Sequence, residues 1–261
     1  MPANATRDQP QGRRWREHLV LVVLACLLPV LFFGFAPIPQ ADGYHDLADQ
    51  RSILGVGHFW NVVSNAPFLI VGLLGLRLVR RKREEAAAAW ATLFGGTALI
   101  ALGSTWYHSD PNDATLIWDR APIGIAFMGF LTALLVEHLE GAPRHIAHRL
   151  LAPLMLCSAG AIGWWQWSGD LSLWVWVQAA PMLAVVLVIA LLPRRYTHRH
   201  YLVYALACYM AAKLFELGDV ELMQWSGGLV SGHTLKHLAA AAGVWCFYRM
   251  LRDRSTVGER R

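Results

Sequence analysis

The sequence predicts an all-α polytopic membrane helix bundle, and three observations predict it. Of 261 residues, 56% are hydrophobic and only 16% charged, against about 45–50% and about 25% in a soluble domain. Apolar runs long enough to span a bilayer recur eight times. The segments between them alternate between basic and acidic. Together these exclude a soluble globular domain, a disordered chain and a disulfide scaffold. The net charge of +5 raises nucleic-acid binding as a further class, which the order of the charges then removes.

The first run, about 18–36, follows Arg7, Arg13, Arg14 and Arg16. These arginines, the apolar stretch from Leu19, and then Ala36 and Ala41 also fit a signal peptide; about 18 apolar residues is long for one, which favours a retained helix. The next segment, 37–57, is acidic, with Asp42, Asp46 and Asp49 against Arg51. The second run, about 60–79, carries Asn61, Ser64 and Asn65 on one face, read as interhelical hydrogen bonding rather than substrate contact. Arg77, Arg80, Arg81, Lys82 and Arg83 close it. The third run, about 87–107, leads to Asp110, Asp113 and Asp119, and the fourth, about 120–137, to Arg144, His145, His148 and Arg149. The fifth and sixth, about 148–166 and 172–192, flank a turn with Asp170. Around that turn Trp164, Trp165, Trp167, Trp174 and Trp176 read as an aromatic belt. Arg194, Arg195, His198, Arg199 and His200 precede the seventh run, about 200–216. That run is short and ends on Glu216, which can pair with Lys213 three residues earlier. Glu216, Asp219 and Glu221 then precede the eighth, about 233–251, and the tail is basic, with Arg249, Arg252, Arg254, Arg260 and Arg261.

Basic segments stay cytoplasmic. Every other segment obeys this rule, so eight spans with both termini inside are expected, and the net charge needs no nucleic acid to explain it. Cys26, Cys157, Cys208 and Cys246 lie in apolar runs and form no CxxC pair, which makes them small helix-packing residues rather than a disulfide framework. His138, His145, His148, His198 and His200 fall on the cytoplasmic side and read as interfacial.

Polar residues inside spans are functional candidates, and here they collect at one level. Ser104 and His108 share a helix face one turn apart at the end of span three. His233 and His237 have the same spacing at the start of span eight, and two imidazoles so placed can grip one metal. Asp119 stands at the opening of span four. Taken singly, each has a plain reading: Ser104 bonding back to its own helix, Asp119 as a helix-start acid, His108 as an interfacial residue. Those readings do not explain why three distant segments deliver them to one side. Three imidazoles with an open fourth position form a catalytic zinc arrangement, and such an ion acidifies a water. Asp119 is then placed to move a proton, and Ser104 to donate to a developing oxyanion. Metal-assisted acyl hydrolysis of a lipid suits this set.

The segments FWNVVSN (59–65), GSTWYH (103–108), DRAP (119–122) and GHTLKH (232–237) resemble the alkaline ceramidases and their superfamily of seven-helix membrane hydrolases, which includes the adiponectin receptors. The resemblance covers 58–251. It implies a seven-helix core, to which the run at 18–36 adds one N-terminal helix outside the family core, and a zinc amidase that splits ceramide into a sphingoid base and a fatty acid. His108, His233 and His237 would hold the zinc, Ser104 would assist the oxyanion, and Asp119 would be the acid/base. Two positions depart from the pattern. His58 stands where the eukaryotic enzymes have a calcium-site glutamate. Asp42, Asp46 and Asp49 can attract a cation, but their spacing matches neither that site nor an EF-hand, so a solvated acidic loop is the simpler reading than calcium. Lys236 stands where ceramidases usually have Trp, and it can recognise an anionic headgroup or snorkel to the interface.

The expected organisation is a basic cytoplasmic tail (1–17), an extra helix or signal-anchor (18–36), an acidic outer loop (37–57), the ceramidase-like domain (58–251) and a second basic tail (252–261). Compact loops and the resemblance imply a bacterial inner membrane with the site facing the periplasm. The expected partners are the bilayer and a ceramide-like lipid, with no nucleic acid, and no feature specifies an oligomer. The alternatives are a zinc hydrolase of another acyl lipid and a seven-helix receptor or sensor with a structural zinc. A proton-relaying transporter would need polar residues at mid-membrane and repeated halves, and the sequence has neither.

Overall fold

All eight apolar runs are helical in the computed structural model, which describes residues 10–82 and 84–257, and for 10–13 the backbone alone. Arg7, Arg83, Arg260, Arg261 and the side chain of Arg13 lie outside the described residues. The helices are α1 (Pro10–Phe33), α2 (Phe59–Val63), α3 (Ala66–Lys82), α4 (Ala87–Ser109), α5 (Asp113–His138), α6 (Gly141–Arg149), α7 (Leu151–Ser168), α8 (Ser172–Leu191), α9 (His200–Leu217), α10 (Asp219–Trp225) and α11 (Gly232–Asp253). Among the described residues every regular element is an α-helix. Five helical stretches are long and apolar enough to cross a membrane, or up to seven when each bent pair counts as one span. α11, with its histidines and Lys236, is not among them.

Local chemistry explains where the helices break. The second run is interrupted between α2 and α3. There the Asn65 amide donates to the carbonyls of Asn61 and Val62, and the Ser64 hydroxyl to that of Asn61. Such side chains compete with the helix for its own carbonyls. α9 and α10 meet at an 80° bend, and α6 and α7 at 48°. At the start of α5, Asn112 accepts from the amides of Ala114 and Thr115, while Thr115 returns a bond to the Asn112 amide. This capping box fixes the helix start a turn and a half before Asp119.

α5 is the axis of the bundle and is almost wholly buried from Ala126 to His138. α4, α7 and α8 pack on it, α3 packs outside α4, and α11 joins α3 to α9. α1 lies along α8 and buries Val20 and Leu24. At the end of the bundle where α5 finishes, Glu137 accepts from the Trp90 indole and from the Arg254 guanidinium. Arg254 also meets Glu84, and Glu85 is faced by Arg144 and Arg195.

Three expectations change here. His138 is buried rather than interfacial, because its Nδ1 turns back to the Leu134 carbonyl. The tryptophans are not all a belt: Trp165 and Trp174 face inward, with the Arg120 guanidinium 4.0 and 5.7 Å from their ring centres. Cys26 and Cys157 are exposed on the outer faces of α1 and α7, so they are not packing residues; Cys208 and Cys246 meet where α9 packs on α11.

Candidate metal centre

Two close helix contacts build the site. A Cβ on Gly103 would fall 1.8 Å from the Trp118 carbonyl, and one on Gly232 would fall 2.1 Å from that of Phe215. Only glycine admits these approaches. The first presses the end of α4 onto α5, and the second seats the start of α11 against the α9–α10 bend. Ser231 caps α11 by accepting from the Thr234 amide, and Asp219 accepts from the His233 amide at 2.7 Å.

The result brings together the residues singled out from the sequence. Ser104, His108, Asp119, His233 and His237 are all buried. The Nε2 atom of His108 lies 3.2 Å from that of His237 and 3.2 Å from that of His233. One nitrogen from each ring lies within 4.8 Å of the others, and this is the metal-ligand group found among the described residues. A tetrahedral ion with bonds of about 2.0–2.1 Å holds its ligand nitrogens about 3.3 Å apart. Two of the three edges therefore already have the spacing of a bound ion, and the trio can hold a metal.

The surrounding shell orients His237. Its Nδ1 lies 2.8 Å from the Ser64 hydroxyl and also faces the Asn61 carbonyl. Because Ser64 donates its own proton to Asn61, the imidazole Nδ1–H is the donor and Nε2 keeps its lone pair toward the trio. Asn61 Oδ1 in turn accepts from the hydroxyls of Ser231 and Thr234. The polar face of the second run thus does make interhelical bonds, and one of them holds a candidate ligand.

Ser104 lies within hydrogen-bonding reach of the Asp119 carboxylate. Both line a cavity of about 170 Å³ that also takes in His237 and Lys236. From this polar end it runs inward to Leu93 on α4, Phe130 on α5 and Phe247 on α11. These residues lie ten or eleven positions along their helices from Ser104, Asp119 and His237, about 15–17 Å at the α-helical rise. The span matches one leaflet of a hydrocarbon core about 30 Å thick.

Lys213 and Glu216 pair at 2.8 Å, as their spacing predicts, but Glu216 is shared: its other oxygen holds Lys236 at 2.7 Å. The three form one chain on the cavity wall. Asp219 was not singled out as part of the site. Its two oxygens tie the His233 amide to the Ala48 amide of the acidic loop, and no spacing signal marks such a loop carboxylate.

The loop covers this end of the bundle. His45 contacts the Tyr107 hydroxyl and Asp113, Gln40 accepts from Arg120, and His58 meets the Asp49 carbonyl. It is not simply a solvated acidic loop: Asp42 and Asp46 are exposed, but Asp49 is buried against Arg51, with bonds of 2.6 and 2.7 Å. Burial pushes the Asp49 pKa up, yet the Arg51 bonds outweigh it and hold the carboxyl below its ordinary value.

None of the curated proteins compared matches this chain. A family model does match residues 68–256, a span that contains Ser104, His108, Asp119, His233 and His237 but neither α1 nor Asn61 and Ser64. The chain belongs to DUF6962, a family of unknown function.

Proposed function

We propose that this protein is a membrane-embedded zinc hydrolase of alkaline-ceramidase type, which splits the amide of a ceramide-like N-acyl lipid into a sphingoid base and a fatty acid. In this reading the stretch from α2 to α11 is the seven-helix core, with α2–α3, α6–α7 and α9–α10 each serving as one span and α1 as the additional helix. The alternating charges put the histidine end on the non-cytoplasmic side. One observation carries the proposal: three imidazoles bring one nitrogen each within 4.8 Å of one another, and one of them, His237, lines the polar end of an apolar cavity one leaflet long.

His108, His233 and His237 would hold the zinc, which would supply a Lewis acid and an acidified water. The rest is work for the chain's own residues. The acyl tail lies between α4, α5 and α11, which places its carbonyl at Ser104 and Asp119. Asp119 takes a proton from the attacking water as the new C–O bond forms. The Ser104 hydroxyl donates to the carbonyl oxygen as it gains negative charge. Asp119 then returns the proton to the leaving nitrogen as the C–N bond breaks. The loop 37–57 and its anchor at Asp219 keep bulk water from this end.

The test is fatty-acid release from ceramides, other N-acyl lipids and phospholipids by detergent-purified protein, with and without chelator. Release that the chelator stops, and that Ser104→Ala and Asp119→Asn each lower by about two orders of magnitude or more, is the expected result. No release from any lipid by zinc-loaded protein would leave the metal a structural role, as in a receptor or sensor.

A further inference from the structure

The polar end of the cavity holds more charge than amide hydrolysis uses. Lys213, Glu216 and Lys236 all line it. Glu216 gives one oxygen to each lysine, at 2.7 Å to Lys236 and 2.8 Å to Lys213. Each ammonium has three N–H donors, so one shared carboxylate leaves most of those donors for something else. Lys236 Nζ also stands 3.5 Å from Nε2 of His233, so its charge sits beside the metal-ligand trio. Both lysine side chains are partly covered, at 21% and 40% exposure.

Charge balance favours an anion. Asp119 and Glu216 offset Lys213 and Lys236 on the cavity wall. Three neutral imidazoles add no charge, so a divalent ion held by them would leave the pocket net positive. A buried surplus of charge is costly unless a partner brings the opposite sign. We propose that the lipid taken here carries an anionic oxyacid on its polar half, a carboxylate or a phosphate close to the scissile carbonyl, bound by Lys236 and Lys213. This rests on the acyl-lipid hydrolase reading and narrows it from neutral ceramide to N-acyl lipids whose polar half bears a carboxylate or a phosphate.

The experiment uses full-length zinc-loaded protein in neutral detergent, carrying Ser104→Ala so that binding is read with turnover slowed. Calorimetric titration with N-lauroylglycine, lauryl phosphate and neutral N-lauroylethanolamine compares one hydrocarbon chain length across three head groups. At least one anionic ligand is expected to bind about tenfold tighter than the neutral one, and the carboxylate and phosphate arms tell which head group is meant. Lys236→Gln and Lys213→Gln should each shrink that ratio, and the double variant should bring it near unity. If Lys236→Gln does not fold because Glu216 loses a partner, Lys236→Gln/Glu216→Gln removes both charges, and Lys213→Gln keeps the Lys236–Glu216 pair. Equal affinity for neutral and anionic ligands, or a preference that survives both lysine substitutions, overturns the proposal. Metal-loaded protein with Ser104 intact separates the two readings. Hydrolysis of the neutral amide with no anionic preference leaves the hydrolase standing and sinks the anion site. Lysine-dependent anion binding with no fatty-acid release from any amide does the reverse.

Discussion

Two clusters of buried polar residues sit at opposite ends of α5, and they solve the same problem differently. Polar groups inside an apolar bundle are expensive unless paired. At the Glu137 end, a carboxylate, an indole and guanidinium groups face one another, with Arg254 closing on both Glu137 and Glu84. At the histidine end, three imidazole nitrogens face each other without a counter-charge between them, beside a cavity lined with further charged groups. A network whose members answer one another holds helices together. Three imidazole nitrogens gathered beside a cavity can instead hold a metal ion.

The largest expected effect separates the two ends. His108→Ala, His233→Ala and His237→Ala should each take bound zinc in purified protein from about one equivalent to near none, because two ligands hold an ion far more weakly than three. Stoichiometric zinc retained in all three variants would sink the site. Arg254→Ala at the other end should leave the zinc content intact and instead destabilise the fold by about 3–5 kcal/mol, the cost of stranding a buried charge. Thermal unfolding in detergent measures it, and a shift within error would show that the Glu137 cluster is not a structural lock.

The next effect is smaller and sharpens the comparison within the histidine end. Ser64 touches no candidate ligand nitrogen of the trio, only Nδ1 of His237. Loss of such an outer-shell bond typically lowers metal affinity about 10–100-fold. Ser64→Ala should therefore raise the zinc dissociation constant by that factor, read by competition with a chromogenic chelator. An unchanged constant would mean that packing alone orients the ring.

Much of this was legible in the sequence, for physical reasons that also mark its limits. Spanning runs are set by bilayer thickness; all eight are helical, but five stretches, or up to seven with the bent pairs joined, are long and apolar enough to cross a membrane, and α11 is not one of them. The spacings Ser104/His108 and His233/His237 are helix geometry, and the motif glycines Gly103 and Gly232 turned out to be the contacts that bring those helices together. What was not legible depends on bonds between distant segments. The interruption at Ser64–Asn65 comes from side chains bonding to carbonyls within an apolar run. The inward turn of Trp165 and Trp174 needs Arg120 from another helix. The role of Asp219 needs an 80° bend that composition does not announce. Lys236 and the Lys213–Glu216 pair were each readable, but not that one carboxylate serves both lysines.

The smallest expected effect lies at the histidine end and concerns how the acidic loop that covers it is fastened. Asp170, in the turn between α7 and α8, accepts from the Ile38 amide at 2.9 Å and so pins the start of that loop. Burial raises its pKa, but bonds from the Ser172 hydroxyl, the Trp164 indole and the amides of Ser172 and Ile38 outweigh it and draw the value down to about 2 from the ordinary 3.8. A carboxyl depressed in the fold contributes stability that is fully present above its unfolded value and is lost as pH falls through its folded one. The unfolding midpoint of the wild type should therefore fall between pH 3.8 and about 2 with a component that Asp170→Asn lacks. Asp119 and Glu137 are untouched by this substitution, so the difference between the two pH profiles isolates the loop anchor from both clusters. Profiles that run parallel across that window would mean that the loop is held by its other bonds, from His45 to Tyr107 and Asp113, from Arg120 to Gln40 and from Ala48 to Asp219.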